Sequence, residues 1–421
     1  MLRHTKTLLF LFLVIFFHAD CFGQVRPIKD LKPTVILISL DGFRYDYLDK
    51  YRPETLGMLA RKGVRARWMI PSFPTKTFPN HYTVATGLYP ANHGIIENNI
   101  YDAGFDAVFG LHLREEVQNA RWWGGEPIWV TAERQGQRAA AFFFPGTEAA
   151  VKGVRPTFWK EYDGRIPNEE RVDQILKWLD LPDAERPTVL TLYFSDTDDA
   201  GHQFSPDSPE LERAVEKVDS DLRRLFDGLK KRGIENRVNL IITSDHGMAT
   251  VEAEKYVLLD DYFELDLAER ILWTGEFVQI FPKSGAEDEI MSGLEKIENA
   301  SCWRKADIPE RFKYRNNPRI APIVCSADVG WYLTGKERLE ENKKRPDWPQ
   351  KRGAHGYDNQ AELMRATFIA HGPAFKKGLV VEPFENIHVY NLMCRILNLA
   401  PAPNDGDDGL GKKILKIYEP K

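Results

Sequence analysis

The 421-residue sequence has few cysteines, no long apolar run beyond its N-terminus and no excess of positive charge. Four cysteines are too few for a disulfide framework, and none has the spacing of metal ligands. Cys302 and Cys325 could pair, whereas Cys394 is expected to be a buried free thiol. The net charge of -5 comes from 62 acidic and 57 basic residues that are well mixed, so we expect no polymeric nucleic acid as a partner.

The N-terminus carries the pattern of a signal peptide. A basic start is followed by an apolar run over residues 8–17 and by small or polar residues up to Gly23. This run is shorter than the roughly 20 residues that a spanning helix needs. We therefore predict that residues 1–23 are a cleaved signal peptide, that the protein is not stably inserted in a membrane, and that it is periplasmic or secreted.

The body of the chain alternates short apolar segments with helical patterns. With 43% hydrophobic residues the chain can bury a large core. Residues 35–40, 188–194 and 240–243 are mainly apolar, as in parallel strands covered on both faces. A stripe of apolar residues over 211–229 predicts a crossover helix with Ser208 as its N-cap. The pattern predicts an α/β fold with a mainly parallel sheet and helices on both faces.

The alternation breaks at residues 251–350, which contain turn-forming and charged clusters beside short strand-like segments. We interpret them as a small inserted α+β lobe. The predicted catalytic domain therefore covers 24–421, with a core at about 33–250 and 351–421 and the inserted lobe at about 251–350.

Candidate metal ligands follow the apolar segments. Asp41 follows the first, Asp198 and His202 the second, and Asp245 and His246 the third. Ligand-binding residues gather beyond the carboxyl ends of the strands in an open α/β sheet, so these side chains are expected to lie together. A buried carboxylate needs a cation or a strong hydrogen-bond network. Each cluster alone also fits the alternative of a hydrogen-bonded turn with an incidental histidine.

Two further candidates depend more on their surroundings. Glycines beside His355 would allow the backbone to aim that ring at an ion, although a solvated loop is the alternative. Thr77 lies just before Pro79, a plausible first helical residue, so its hydroxyl would face a helix N-terminus that favours a phosphate. Thr77 also fits a simple N-cap. Thr75 is an equally good nucleophile on these grounds.

Several motifs in a fixed order cover nearly the whole chain after the signal peptide. They are residues 40–44, 74–96, 125–129, the segments at Asp198 and Asp245, residues 355–359 and residues 384–403. Together these motifs resemble the nucleotide pyrophosphatase/phosphodiesterase family of the alkaline phosphatase superfamily. The resemblance implies an alkaline-phosphatase-like α/β fold and two zinc ions per chain.

The resemblance also implies roles for individual residues. Thr77, and not Thr75, becomes the nucleophile, and Asn98 donates a hydrogen bond to a phosphate oxygen. The implied ligands of one zinc ion are Asp198, His202 and His355, and those of the other are Asp41, Thr77, Asp245 and His246.

A nucleoside pocket is implied in the same way. Phe78 and Tyr162 would stack on the base, and Leu111, Phe144 and Tyr193 would form the rest of the wall, with ordinary core packing as the alternative for each. Members that prefer nucleotides carry a lysine near the base edge, where this chain has Arg114, Glu115 and Glu116. The base preference therefore stays open.

The expected activity is hydrolysis of nucleotide phosphodiester or pyrophosphate bonds, for example of a nucleoside triphosphate to the monophosphate and pyrophosphate, through a covalent threonine intermediate. A phospholipid or glycerophosphodiester (choline-type) phosphodiesterase with the same metal site is the alternative. A non-catalytic exported binding module is a further one. The sequence leaves the oligomeric state open.

Overall fold

The computed structural model describes residues 26–345 and 351–417. The predicted signal peptide lies outside the described residues and stays a prediction. Within the described residues, no helix is both long enough and apolar enough to cross a membrane.

An eight-stranded sheet forms the centre of the described structure. Its order is β8-β2-β7-β6-β1-β5-β3-β4, in which β7 runs antiparallel to both neighbours and all other adjacent pairs are parallel. The strands are β1 (Thr34–Leu40), β2 (Val64–Ala66), β3 (Ala139–Phe142), β4 (Phe158–Trp159), β5 (Val189–Phe194), β6 (Val238–Thr243), β7 (Phe368–His371) and β8 (Leu379–Val381).

The three predicted apolar strands are confirmed as the neighbours β5, β1 and β6 in the middle of this sheet. All of their residues are buried because helices cover both faces. Val35 and Leu37 pack into one hydrophobic core, whereas Ile36 and Ile38 pack into the other. The three strands end side by side at one edge of the sheet, where the candidate ligands follow.

Helices pack on both sides of the sheet. The predicted crossover helix is Pro209–Lys231, and the Ser208 hydroxyl accepts a hydrogen bond from the amide of Leu211 at 3.2 Å. The other α-helices are Tyr47–Lys50, Glu54–Lys62, Thr77–Thr86, Pro90–His93, Arg114–Val117, Ile128–Arg134, Asn168–Leu179, Asp196–Phe204, Glu287–Leu294, Lys336–Lys343, His388–Ile396 and Gly409–Ile414. The short 3-10 helices are Ala120–Trp122, Leu259–Asp261, Leu265–Leu267, Lys305–Asp307, Glu310–Phe312 and Glu362–Met364.

The predicted α+β lobe contains a four-stranded antiparallel sheet, whose strands in spatial order are Ala268–Trp273, Phe277–Pro282, Ile323–Ala327 and Ala300–Arg304. Cys302 and Cys325 lie opposite each other on its neighbouring strands and form a disulfide. The remaining strand pairs are Ala249–Glu252 with Lys351–Ala354, Tyr256–Leu258 with Tyr332–Thr334, Met69–Ile70 with Phe384–Glu385, and Asn99–Asp102 with Ala107–Gly110.

The helix Glu54–Lys62 begins against a carboxylate of the crossover helix. Asp219, which is buried, accepts hydrogen bonds from the amides of Thr55 at 3.0 Å and Leu56 at 2.7 Å. We predict that Asp219→Ala lowers the free energy of unfolding by about 2–4 kcal/mol, because two first-turn amides lose their acceptor. Denaturant unfolding measures this change. The exposed Asp227 of the same helix provides the control, and an Asp219→Ala effect no larger than that of Asp227→Ala would refute the prediction.

Candidate active site

The structure brings six of the predicted ligands together at the sheet edge. Asp41 follows β1, Asp245 and His246 follow β6, and Asp198 lies in the first turn of the helix after β5. Their ligand atoms form two groups, each within 4.8 Å. The groups are the first triad, Asp41, Asp245 and His246, and the second triad, Asp198, His202 and His355.

The first triad is completely buried. Nε2 of His246 lies 2.9 Å from Oδ2 of Asp245 and 3.5 Å from Oδ1 of Asp41. The hydroxyl of Thr77 lies 3.3 Å from the same Nε2. A nucleophile candidate thus stands directly at this triad.

The second triad is open to solvent on one side, since the side chain of His202 is 44% exposed. Asp198 and His202 lie one turn apart on the helix Asp196–Phe204, so both face the same way. Nε2 of His202 is 3.5 Å from Oδ2 of Asp198, and Nε2 of His355 is 3.7 Å from Oδ1. The two Nε2 atoms are 3.1 Å apart.

A shared feature fixes the tautomer of all three histidines. In each ring Nδ1 faces a backbone carbonyl, which can only accept, so in the neutral ring Nδ1 carries the proton and Nε2 presents a lone pair. Such anchoring is typical of histidines that ligate metals. The pairs are His246 with Gly247 at 2.9 Å, His202 with Gly353 at 2.9 Å and His355 with Thr75 at 2.8 Å.

Lone pairs therefore face lone pairs across both triads. In addition, Oδ1 of Asp41, Oδ1 of Asp198 and Oδ2 of Asp245 have no hydrogen-bond partner among the described residues. Buried acceptors without donors are strongly unfavourable. A cation at each triad removes the conflict, and nitrogen with carboxylate oxygen is a donor set that suits zinc and related divalent ions. The residues present fit two metal ions.

The electrostatics of the buried groups agree with this reading. Burial, with Asp245 and Asp198 adding to it, raises the pKa of Asp41 well above its ordinary value. Although burial lowers the pKa of His246, the carboxylate of Asp245 raises it above the ordinary value overall. Burial holds the pKa of His355 well below its usual range, so this ring is neutral. The first triad thus attracts positive charge, and the second offers a neutral ligand.

Two residues that support the first triad gave no signal for that role in the sequence. Tyr193 was predicted only as pocket wall, but its hydroxyl donates to Oδ2 of Asp41 at 2.6 Å. His81 is buried, and its Nδ1 lies 2.8 Å from the carbonyl of Thr77 and 3.4 Å from Oδ2 of Asp245. A lone histidine on a helix has no spacing pattern that reveals such a contact. Both side chains hold the site in place.

Two positions in the site require glycine because neighbouring residues pack directly against the backbone there. Gly42 has a φ of +64°, and a Cβ there would lie 3.0 Å from Cα of Asp198. Gly356 has a φ of +119°, and a Cβ there would lie 2.3 Å from Cε of Lys76. A side chain at Gly42 would displace Asp198, and a side chain at Gly356 would displace Lys76, which precedes Thr77.

The helix that carries the nucleophile candidate begins two residues earlier than predicted, at Thr77 itself, because the amide of Asn80 donates to the carbonyl of Lys76 at 3.1 Å. The amide of Phe78 donates to Oδ1 of Asn98 at 2.9 Å, which leaves the Asn98 NH₂ group to serve as a donor. Thr75 is engaged elsewhere: its hydroxyl donates to the carbonyl of Tyr357 and accepts from an amide.

A cavity of about 170 Å³ borders Asp41, Thr77 and Asp198. The structure brings all five predicted pocket residues to its wall, and they are Phe78, Leu111, Phe144, Tyr162 and Tyr193. We call this space the aromatic cavity. Its wall also contains Arg114, which is paired with Glu148. Glu116 does not line this cavity, because its carboxylate bonds to Arg121 and to the indole of Trp122.

Comparisons with known proteins agree with this geometry. Residues 35–358 match the model of the type I phosphodiesterase / nucleotide pyrophosphatase family. A venom phosphodiesterase of Crotalus durissus collilineatus is 41% identical over 400 residues, covering 92% of this chain and 47% of the relative. An uncharacterized pyrophosphatase/phosphodiesterase of Schizosaccharomyces pombe is 43% identical, covering 89% of this chain and 78% of the relative. The chain spans about half the length of the venom relatives.

Solved structures show the same relationship. Murine ectonucleotide pyrophosphatase / phosphodiesterase 5 superposes with a TM-score of 0.85 at 34% identity, covering 91% of this chain and all of that chain. An inactive threonine-to-alanine variant of that protein, solved in complex with AMP, gives a TM-score of 0.84 over the same shares. The chain therefore has an alkaline-phosphatase-like α/β fold, as predicted. It belongs to the type I phosphodiesterase / nucleotide pyrophosphatase family.

The hydroxyl of Tyr193 offers a direct test of the first triad. We predict that Tyr193→Phe weakens metal binding at the first triad about 10-fold or more, because Asp41 loses the donor that orients it. Metal titration with a competing chelator measures the affinity. Tyr47→Phe is the matched control, since that buried hydroxyl has no hydrogen-bond partner among the described residues. Equal metal affinities in the two variants would contradict this role of Tyr193.

Proposed function

We propose that the protein is an exported two-zinc phosphodiesterase that hydrolyses nucleotide phosphodiester or pyrophosphate bonds through a covalent intermediate on Thr77. The observation that carries the proposal is that two neighbouring triads contain carboxylate oxygens without a hydrogen-bond partner among the described residues. The Thr77 hydroxyl lies beside them, 3.3 Å from Nε2 of His246. Phosphoryl transfer needs a positioned nucleophile beside concentrated positive charge, and metal ions held at the two triads would supply that charge.

The first step is attack by Thr77 on phosphorus. Asp41, Asp245 and His246 would hold one zinc ion beside the threonine, and Asp198, His202 and His355 would hold the other; bound there, the ions supply a lowered hydroxyl pKa and neutralise phosphate charge. The Thr77 hydroxyl gives its proton to solvent, and its oxygen forms a bond to phosphorus as the bond to the leaving oxygen breaks. Water then attacks phosphorus, the bond between phosphorus and the Thr77 oxygen breaks, and that oxygen takes a proton to restore the hydroxyl.

Donors from this chain would hold the phosphate oxygens in both steps. The NH₂ group of Asn98 is available because its Oδ1 is occupied by the Phe78 amide. The amide of Phe78 is not available to a phosphate because it donates to Asn98, and Pro79 has no amide hydrogen. We therefore expect the amide of Thr77 to be the donor in the first helical turn that faces the phosphate. Such preorganised donors stabilise the charge that develops in the transition state.

The aromatic cavity would receive the nucleoside. Its wall presents Phe78 and the partly exposed Tyr162, whose rings offer faces for base stacking. AMP bound to the murine relative supports a nucleotide as the substrate class. The secreted nature implied by the name of the venom relatives supports export.

Thr77 is tested by removing its hydroxyl. We predict that Thr77→Ala abolishes turnover of a nucleoside 4-nitrophenyl phosphate diester, at least about 1000-fold, because no other group can form the intermediate. Zinc content, measured by mass spectrometry, should stay close to two ions per chain. Thr77→Ser keeps a hydroxyl and should keep measurable turnover. A wild-type rate in Thr77→Ala would show that Thr77 is not the nucleophile.

The nucleoside pocket is tested by removing a ring. We predict that Tyr162→Ala lowers kcat/KM for a nucleoside 4-nitrophenyl ester about 10- to 100-fold, because base stacking on an aromatic ring contributes about 1–3 kcal/mol. Hydrolysis of bis(4-nitrophenyl) phosphate, which carries no base, should change much less. Phe105→Ala removes an exposed ring that does not line the aromatic cavity, and it serves as the control.

The same assay separates nucleotides from lipid-type diesters. A choline phosphodiester that is cleaved much faster than every nucleotide would make the nucleotide assignment wrong and leave the metal site standing.

A further inference from the structure

A second cavity, of about 280 Å³, borders His202 and His355 of the second triad, together with Asn98. The aromatic cavity instead borders Thr77 and Asp41 of the first triad. An in-line displacement by Thr77 places the leaving oxygen opposite the attacking one. Because Thr77 stands at the first triad, the leaving group departs on the side of the second. We call this second space the leaving-group cavity.

The ammonium group of Lys76, in the wall of the leaving-group cavity, already has partners within the protein. Nζ of Lys76 donates to Oε2 of Glu276 at 2.7 Å and to the carbonyl of Thr274 at 3.2 Å, and both charged side chains are buried. The Lys76 ammonium is thus held by a carboxylate and a backbone carbonyl of the protein. Its charge is therefore matched by the protein itself.

Glu97 is the unusual member of the wall. It is fully buried, and its Oε2 accepts a hydrogen bond from the amide of Asn99 at 2.6 Å. Its Oε1 has no hydrogen-bond partner among the described residues. The nearby hydroxyl of Thr274 donates to the carbonyl of Phe277 instead. A buried carboxylate oxygen without a donor is unfavourable, and a ligand that donates a hydroxyl hydrogen to it would remove that cost.

Apart from the second triad, the charged side chains in the wall of the leaving-group cavity balance one another. Lys76 and Arg352 are its cations, and the guanidinium of Arg352 lies 4.0 Å from the ring centroid of Tyr332. Glu97 and Glu276 are its carboxylates. A departing pyrophosphate brings several negative charges and only acceptors, so it meets two carboxylates at close range. An uncharged sugar or nucleoside brings hydroxyl donors.

We propose that the leaving-group cavity receives an uncharged, hydroxyl-bearing organic group such as a nucleoside, with Oε1 of Glu97 accepting a hydrogen bond from it. The preferred substrate is then a diester that joins a nucleotide to such a group, and a nucleoside triphosphate is disfavoured. This inference rests on the proposed phosphodiesterase function. The leaving oxygen keeps the electron pair of the broken bond to phosphorus and takes a proton from water.

The test compares two substrates that yield the same AMP. One is a dinucleoside monophosphate, cytidylyl-(3′→5′)-adenosine, whose leaving group is cytidine, and the other is ATP. The quantity is the ratio of their kcat/KM values, which does not depend on the fraction of active enzyme. In Glu97→Gln the amide oxygen must keep the Asn99 contact, so an NH₂ donor replaces Oε1. We expect this ratio to fall about tenfold or more from its wild-type value.

Two further variants complete the design. Glu276→Gln keeps an acceptor for Lys76 but removes a negative charge, and it should also lower the ratio. Glu295→Gln, an exposed change on the lobe, should leave the ratio unaltered. An unchanged or increased ratio in Glu97→Gln overturns the inference while the phosphodiesterase function stands. Failure of the wild-type protein to cleave either substrate overturns the proposed function itself.

Discussion

The site depends on the placement of three histidine protons. Each ring is anchored through Nδ1 to a backbone carbonyl, and this anchoring turns every Nε2 lone pair toward carboxylate oxygens or another lone pair. The carbonyls belong to Thr75, Gly247 and Gly353, which lie in three separate segments of the chain. The fold therefore concentrates unpaired acceptors from distant segments, and only cations can reconcile them. The nucleophile candidate Thr77 lies at the first triad, and each of the two cavities borders residues of the triads.

The central strands and the ligands could be predicted because their pattern is local. Continuous apolar segments end in Asp41 and in Asp245, and parallel strands bring such ends to one edge. The helical stripe at 209–231 is equally regular. The start of the helix at Thr77 was misplaced by two residues, because a proline is also tolerated at the third helical position, where its missing amide has no intrahelical acceptor.

Contacts that depend on tertiary packing left no trace in the sequence. Nothing in the spacing shows that Glu276, from the lobe, reaches Lys76 beside the nucleophile candidate, since 200 residues separate them. Nor could the pattern show that Glu116 turns toward Trp122 while Arg114 lines the aromatic cavity. Glu276 of the predicted lobe thus lines the leaving-group cavity beside charged residues of the predicted core. Aromatic residues of that core line the other cavity.

The central claim, that each triad holds one metal ion, is tested most directly by anomalous diffraction from zinc-loaded crystals at the zinc absorption edge. Two peaks are expected, each about 2.0–2.2 Å from its ligand atoms. One should lie among Asp41, Asp245 and His246 and the other among Asp198, His202 and His355. No peak at either triad, or zinc bound only elsewhere, would contradict the account.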